Sequence, residues 1–465
     1  MTAIDDHTVT STRLLADFLA GLSPAVIPGE VFRHARLCLL DTIGCGLFGA
    51  SLPQASIVRD MLAAQGSTGE APAWGAGGSF PAADAALANG TAVHAFELDD
   101  LHPRSIVHPG SVVAPAAFGA LSLRPGLTGT RLLTAIIAGY EATARVGSAV
   151  GSAHLIAGWH PTGTHGTLGA AAGAGVVLGL DAPALANALG IAGSQSAGLM
   201  AAQYESMVKR FHAGRAAQSG TYAALLAERG YIGIKDLFEA GYGGYLGTFS
   251  PRADPSWLTR GLGTDWETLR VGFKPYSTNG SCHPAIDCLR ELRARHGLTR
   301  ADVEAVEICA STATVKHVGW RYRPDTVTTA QMNLPYIVAV VLTDGEAFID
   351  QFTEERIREP DLVEFAGRVQ VRADPDIDAQ GDGGRHQTRL RVLLRDGRTL
   401  EAERDHAHGS AADPMPVTEV REKFRRLAGT VLDDPALTRI EAVIDRLETA
   451  SDLRELGELL HPGPA

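Results

Sequence analysis

The chain has 465 residues, of which 45% are hydrophobic and 20% charged, with a formal net charge of −12. That is the make-up of a soluble globular protein long enough for two or more domains. The acidic balance argues against nucleic acid or an anionic membrane surface as partner, yet leaves room for a local cationic pocket.

The N-terminal residues MTAIDDHTVTS are acidic and polar, unlike a secretory leader, and the apolar run Leu168–Leu180 is too short to span a bilayer. Five scattered cysteines (Cys38, Cys45, Cys282, Cys288 and Cys309) form neither a zinc-type spacing nor a disulfide framework, which fits a reducing compartment. The expected location is the cytoplasm. From Ser11 to about Gly247 the apolar spacing is helical. Leu14, Leu15, Phe18 and Leu19 share a face, and Leu37, Leu40, Ile43 and Gly44 continue the pattern. Ala82–Phe96, Thr130–Val146, Thr167–Leu178, Ala182–Ala192 and Ala213–Arg229 read as further helices, several rich in Ala and Gly.

After the Pro-containing segment Ser250–Leu262 the pattern changes. Asp265–Phe273 ends strand-like, His283–His296 reads as a helix, Val303–Ala310 alternates as a strand, and Leu334–Leu342 reads as a helix. Arg368–Arg372 and Thr388–Leu394 alternate again, and Asp396-Gly397 signals a hairpin before Leu400–Glu403. Beyond Pro414 and Pro416 the helical pattern returns in Val417–Leu427 and Leu437–Leu447. The expected fold is mainly α with an α+β second domain. Residues 1–266 and 410–465 make one helical domain, and residues 267–409 a smaller α+β domain.

Three polar blocks interrupt the apolar first half: HAFELDDLHPRSIVHPGS (94–111), GWHPTGTHGTLGAAAGAG (158–175) and KRFHAGRAAQSG (209–220). Charge inside an apolar core is costly unless paired or used, so the blocks point to a shielded site for a small anion. Asp99 and Asp100 can orient histidines or cap the next segment. Thr162 and Thr164, with N–H groups near Gly163 and Gly166, can receive a carboxylate at a helix start or simply cap it. Lys209, Arg210, His212 and Arg215 read either as a carboxylate-binding set or as a solvated charge run. The spacings His102–His108 and His160–His165 are not the i,i+4 pair of a helical zinc site, and no metal is expected. The run G-A-G-V-V-L-G (173–179) lacks a preceding strand, so helix packing explains it better than a dinucleotide.

Taken with KPYSTNGSCHPAID (274–287), NLPYIVAVVLTDG (333–345), LLDTIGCGL (39–47) and PMPVTEVREKFRRLA (414–428), the blocks closely resemble the MmgE/PrpD family, which includes 2-methylcitrate dehydratases, cis-aconitate decarboxylases and an iminodisuccinate epimerase. The resemblance implies a large helical domain, an α+β lid, a homodimer, and metal-free, cofactor-independent chemistry between the domains. It does not select the reaction.

The resemblance also implies site residues. His108 and His160 match active-site histidines and would divide the acid and base roles, in an order left open here. Lys209 and Lys274 match lysines that anchor carboxylates, and Tyr336 a tyrosine that can donate to substrate or be a satisfied core aromatic. Glu97 and Leu101 stand where the decarboxylases carry Asp and Thr, and Asn279 where they carry a further histidine. Asp99, Asp100, Thr162, Arg215 and His283 complete the expected substrate-binding set. These departures favour a hydro-lyase acting on a 2-methylcitrate-like hydroxy di- or tricarboxylate. The alternatives are a decarboxylase or epimerase of a related acid, or a non-catalytic binder.

Overall fold

Glycines set the spacing of the helical core. In the computed structural model, which describes residues 10–204, 206–381 and 384–461, helices Gly129–Val150 and Pro161–Leu178 cross with their backbones in contact. A Cβ on Gly169 would fall 1.6 Å from Thr143 Oγ1, and one on Gly139 2.8 Å from the Gly169 carbonyl oxygen. Helix Val208–Glu228 meets Ala82–Val93 the same way, with Gly90 against the Cα of Gly214. Such crossings seat helices closer than larger side chains allow, so dispersion contacts replace side-chain burial.

Every residue of Pro161–Leu178 is buried. The helix therefore has no polar face, and hydrophobic periodicity loses its signal there. Gly110–Leu121 shows no helical periodicity for the same reason: apart from Ser111 its side chains are apolar on all sides, and Pro115 lies inside it. Two helices begin earlier than the sequence suggested. Pro161 takes the first helical position, where its missing N–H costs nothing, and Val208 opens the helix carrying Lys209, Arg210 and His212.

The α+β part holds a four-stranded sheet in the order 369–373, 303–310, 388–394, 399–404; the first pair is parallel and the others antiparallel. Ile308 sits opposite both Val371 and Leu390. Thr388, Leu390, Val392 and Leu394 alternate inward, and helix His283–His296 packs on this sheet. The hairpin turns at Gly397, whose φ of 87° suits glycine. Asp265–Phe273 is not a strand. It forms a 3-10 turn, Glu267–Arg270, followed by one bridge between Gly272 and Leu101.

The chain then returns to the helical part. Helix Val417–Ala428 lies on Gly29–Ala50, and its Lys423 is buried 2.6 Å from Asp41. Among the described residues no single helix is long and apolar enough to cross a membrane.

Candidate active site

The site begins where helix Ala82–Val93 stops at His94. Glu97 follows with φ 58°, a left-handed conformation that a non-glycine residue adopts only when its surroundings hold it. Here the surroundings are cations. The buried Glu97 carboxylate is paired with Lys209, lies 2.7 Å from Arg210 Nη1 and 3.0 Å from Lys274 Nζ, and Lys274 also donates to the Glu97 carbonyl oxygen at 3.2 Å. Gln331 ties the group together, donating to Phe96 O at 2.9 Å and accepting from Arg210 at 3.2 Å.

Three cations thus converge on one carboxylate. Burial and the facing Arg210 and Lys274 charges hold the Lys209 ammonium well below the usual lysine range. Burial brings Lys274 down to about 8, with Asp99 opposing and Arg210 adding. Both lysines would gain from an added anion.

Histidines form the other wall. His94 Nδ1 lies 2.7 Å from Asp99 Oδ2, and His108 Nδ1 lies 2.8 Å from the Asp100 carbonyl oxygen and 3.5 Å from Asp99 Oδ1. The rings of His94 and His108 are 4.9 Å apart, and those of His94 and His160 are 5.6 Å apart. Burial opposes ionisation of Asp99, but His108 and His94 outweigh it and keep the carboxyl well below its ordinary range. Burial also brings His108 down to about 4, with Asp99 opposing, and holds His94 and His160 well below the ordinary histidine value.

These partners fix tautomers. A carbonyl oxygen only accepts, so His108 carries its proton on Nδ1 and offers a lone pair at Nε2. The ionised Asp99 does the same to His94, whose buried Nε2 has no hydrogen-bond partner. His160 immediately precedes the Pro161–Leu178 helix, and its Nδ1 faces another imidazole, His212 Nδ1, at 3.1 Å.

A cleft of about 380 Å³ reaches this group beside Leu101 and Lys274. His283, His386, His406 and His408 from the α+β part also line it.

The structure therefore unites Glu97, Asp99, His108, His160, Lys209 and Lys274, with Leu101 and His283 at the cleft. Other expected site residues have different work. The Asp100 carboxyl accepts from Gly110 N at 2.8 Å and Tyr140 Oη at 2.6 Å, so it starts the next helix, and only its carbonyl serves the site. Thr162 accepts from the His108 backbone N–H at 3.3 Å. Asn279 caps a short turn by accepting from Ser281 N at 3.0 Å. Arg215 binds Gln218 and lines an outer groove. The Tyr336 hydroxyl donates to Gln351 O at 2.6 Å while its ring stacks on Tyr322; it is a satisfied core aromatic.

His94 lies in the first polar block without an assigned role, and Arg210 and His212 are read in the third only as members of a charged set. His94 stands one helical turn and a bend before Asp99, a relation that spacing alone does not reveal. His94, Asp99 and His108 each bring one possible metal ligand atom within 4.8 Å of the others. His94 Nδ1, Asp99 Oδ2 and His108 Nδ1 are already engaged in hydrogen bonds, and the adjacent lysines make the site electropositive. Proton transfer and anion binding suit it better than a divalent cation.

In sequence comparison, residues 13–257 match the MmgE/PrpD N-terminal domain and residues 276–449 the MmgE/PrpD C-terminal domain. The chain is 34% identical to the "Cis-aconitate decarboxylase-like protein oryM" of Aspergillus oryzae, with 97% of each chain covered. It is 31% identical to a "Cis-aconitate decarboxylase" of Aspergillus terreus, covering 97% of this chain and 96% of the relative. The Homo sapiens "Cis-aconitate decarboxylase" is 29% identical, covering 98% of this chain and 95% of that one.

Proposed function

The chain belongs to the MmgE/PrpD family, and on that premise we propose that it is a lyase that decarboxylates cis-aconitate or a close tricarboxylate relative. The hydro-lyase reading favoured by the sequence gives way because the relatives are named as decarboxylases. The observation that carries the substrate class is the convergence of Lys209, Arg210 and Lys274 on the single carboxylate of Glu97.

In cis-aconitate the double bond lies β,γ to the methylene carboxylate. When its C–C bond breaks, carbon dioxide leaves and the electron pair moves across the double bond. It arrives at the carbon next to another carboxylate, and that carbon takes a proton. Lys209, Arg210 and Lys274 hold the retained carboxylates and stabilise the charge spreading onto them. Glu97 already occupies these cations, so a substrate carboxylate enters by sharing them.

A second reading has its own support. His108 presents a lone pair at Nε2, which is what abstraction of an α-proton in a dehydration requires, and Leu101 and Asn279 depart from the decarboxylase pattern. Incubation with cis-aconitate, citrate and 2-methylcitrate, followed by carbon dioxide release and product NMR, separates the two. Carbon dioxide from cis-aconitate supports decarboxylation, and an unsaturated acid from a hydroxy acid without carbon dioxide supports dehydration. Turnover of none of the three sinks both.

A homodimer is part of the same proposal. Tyr222 and Leu226 on helix Val208–Glu228, with Tyr231 and Ile232 after it, expose an apolar face that suits a second copy. Sedimentation analysis tests it, and a concentration-independent monomer counts against it.

A further inference from the structure

The three imidazoles of the site are not equivalent. His94 and His108 have their Nδ1 protons directed to oxygen acceptors, so in their neutral forms neither has a proton on Nε2. The carbon that accepts a proton must find it elsewhere. His160 is the ring whose Nδ1 partner can both donate and accept.

We infer that His212 is a positioning residue that donates its Nδ1 proton to His160 Nδ1, keeps the His160 proton on Nε2, and exchanges protons with water in an outer groove. This rests on the decarboxylase reading for its chemical purpose, but the tautomer itself does not.

Geometry supports the assignment. Gly198, at φ 132°, lies flat against the pair; a Cβ there would fall 3.3 Å from His160 Cβ and 3.3 Å from His212 Nδ1. His212 lines a groove of about 590 Å³ with Leu199, Val208 and Arg215, and Leu199 and Val208 are exposed. That groove shares no wall residue with the cleft beside Lys274. The charged and titratable groups facing the pair are His94, His108, Lys209 and Arg210.

Loss of Nε2–H from a lone neutral imidazole would leave an imidazolate. Here, as His160 gives its Nε2 proton to carbon, His160 Nδ1 takes the His212 proton and His212 Nε2 takes one from groove water, so both rings stay neutral. After product leaves, a water proton arriving at His160 Nε2 drives the reverse shift, and the groove water recovers its proton. The net uptake is the one proton that replaces carbon dioxide.

The test compares His212→Ala, His212→Gln and His160→Ala with the wild type. Histidine-labelled NMR of the wild type should show His160 protonated at Nε2, and H212A should lose that preference. With cis-aconitate, H212A should lose about 100-fold in kcat with KM little changed, and added imidazole should restore at least about tenfold in H212A but not in H160A. Should H212A fail to fold, H212Q still decides the matter. Its amide N–H can hold the tautomer but cannot relay, so kcat should fall while the His160 signal stays. An Nδ1–H His160 in the wild type overturns the inference, as does kcat within about threefold in H212Q. Absence of carbon dioxide in the wild type, with the tautomer shift intact in H212A, removes the decarboxylase reading and leaves the positioning role standing.

Discussion

Asp99 Oδ2 and His94 Nδ1 lie 2.7 Å apart, and both side chains are fully enclosed. The pair is a buried, oriented dyad whose outward nitrogen, His94 Nε2, has no other partner. Its carboxylate stays ionised because His94 and His108 surround it, despite burial.

Asp99→Asn removes that charge but nearly keeps the shape. The amide no longer demands Nδ1–H from His94, and the tautomer is released. We expect a loss of about 100-fold or more in kcat with the fold retained, measured by steady-state kinetics alongside circular dichroism. Activity within threefold of wild type would remove the dyad from the mechanism.

Glu97→Gln leaves Lys209, Arg210 and Lys274 without their shared anion. The free protein should melt several degrees lower, because an uncompensated buried charge is costly. A tricarboxylate should then stabilise the variant more than it stabilises the wild type, since binding supplies the missing charge. Thermal shift with and without cis-aconitate checks both. Equal ligand-induced shifts would show that Glu97 does not share its cations with the ligand.

Acid should destabilise the free protein through its buried histidines. His108 has its folded pKa lowered from 6.5 to about 4, so below 6.5 the unfolded chain binds the extra proton and stability falls until about 4. The share from His108 is on the order of 3 kcal/mol. His154 and His212, also lowered to about 4, act in the same direction. Urea midpoints across this range report the slope, and His108→Gln should flatten it.

Asp100 has the opposite sign. Burial, with Asp41 adding, raises it to about 8, so stability falls as pH rises from about 3.8 to about 8 because the unfolded carboxyl ionises first. Asp100→Asn should remove that fall, provided Tyr140 rotates to accept from the new amide. Comparing the two proteins' urea midpoints at mildly acidic and mildly alkaline pH checks it; parallel curves would mean Asp100 is ionised in the fold.

The sequence made the polar blocks legible because charge among Ala, Gly and Leu stands out whatever the local structure. The hairpin at Gly397 and the helix His283–His296 were equally plain, since their turn residue and start follow local rules. What could not be read was partnership. Asp100 and Asp99 are adjacent and alike in sequence, yet one starts a helix while the other orients two histidines. Tyr336 shares a helix with apolar residues either way, and only the position of the Gln351 carbonyl decides its hydroxyl's task. Helix Gly110–Leu121 was hidden by uniform burial.

Lys423 donates to the Leu98 carbonyl oxygen at 2.6 Å and pairs with Asp41 at the same distance. During synthesis, a chain of 465 residues has therefore made its histidines and lysines long before the residue that braces the loop between them. The loop between His94 and His108 gains this brace only after a further 325 residues have been made. A stop before Lys423 would spare His94, Glu97, Asp99, His108, Lys209 and Lys274 and leave the Leu98 carbonyl and the buried Asp41 carboxylate without their cation.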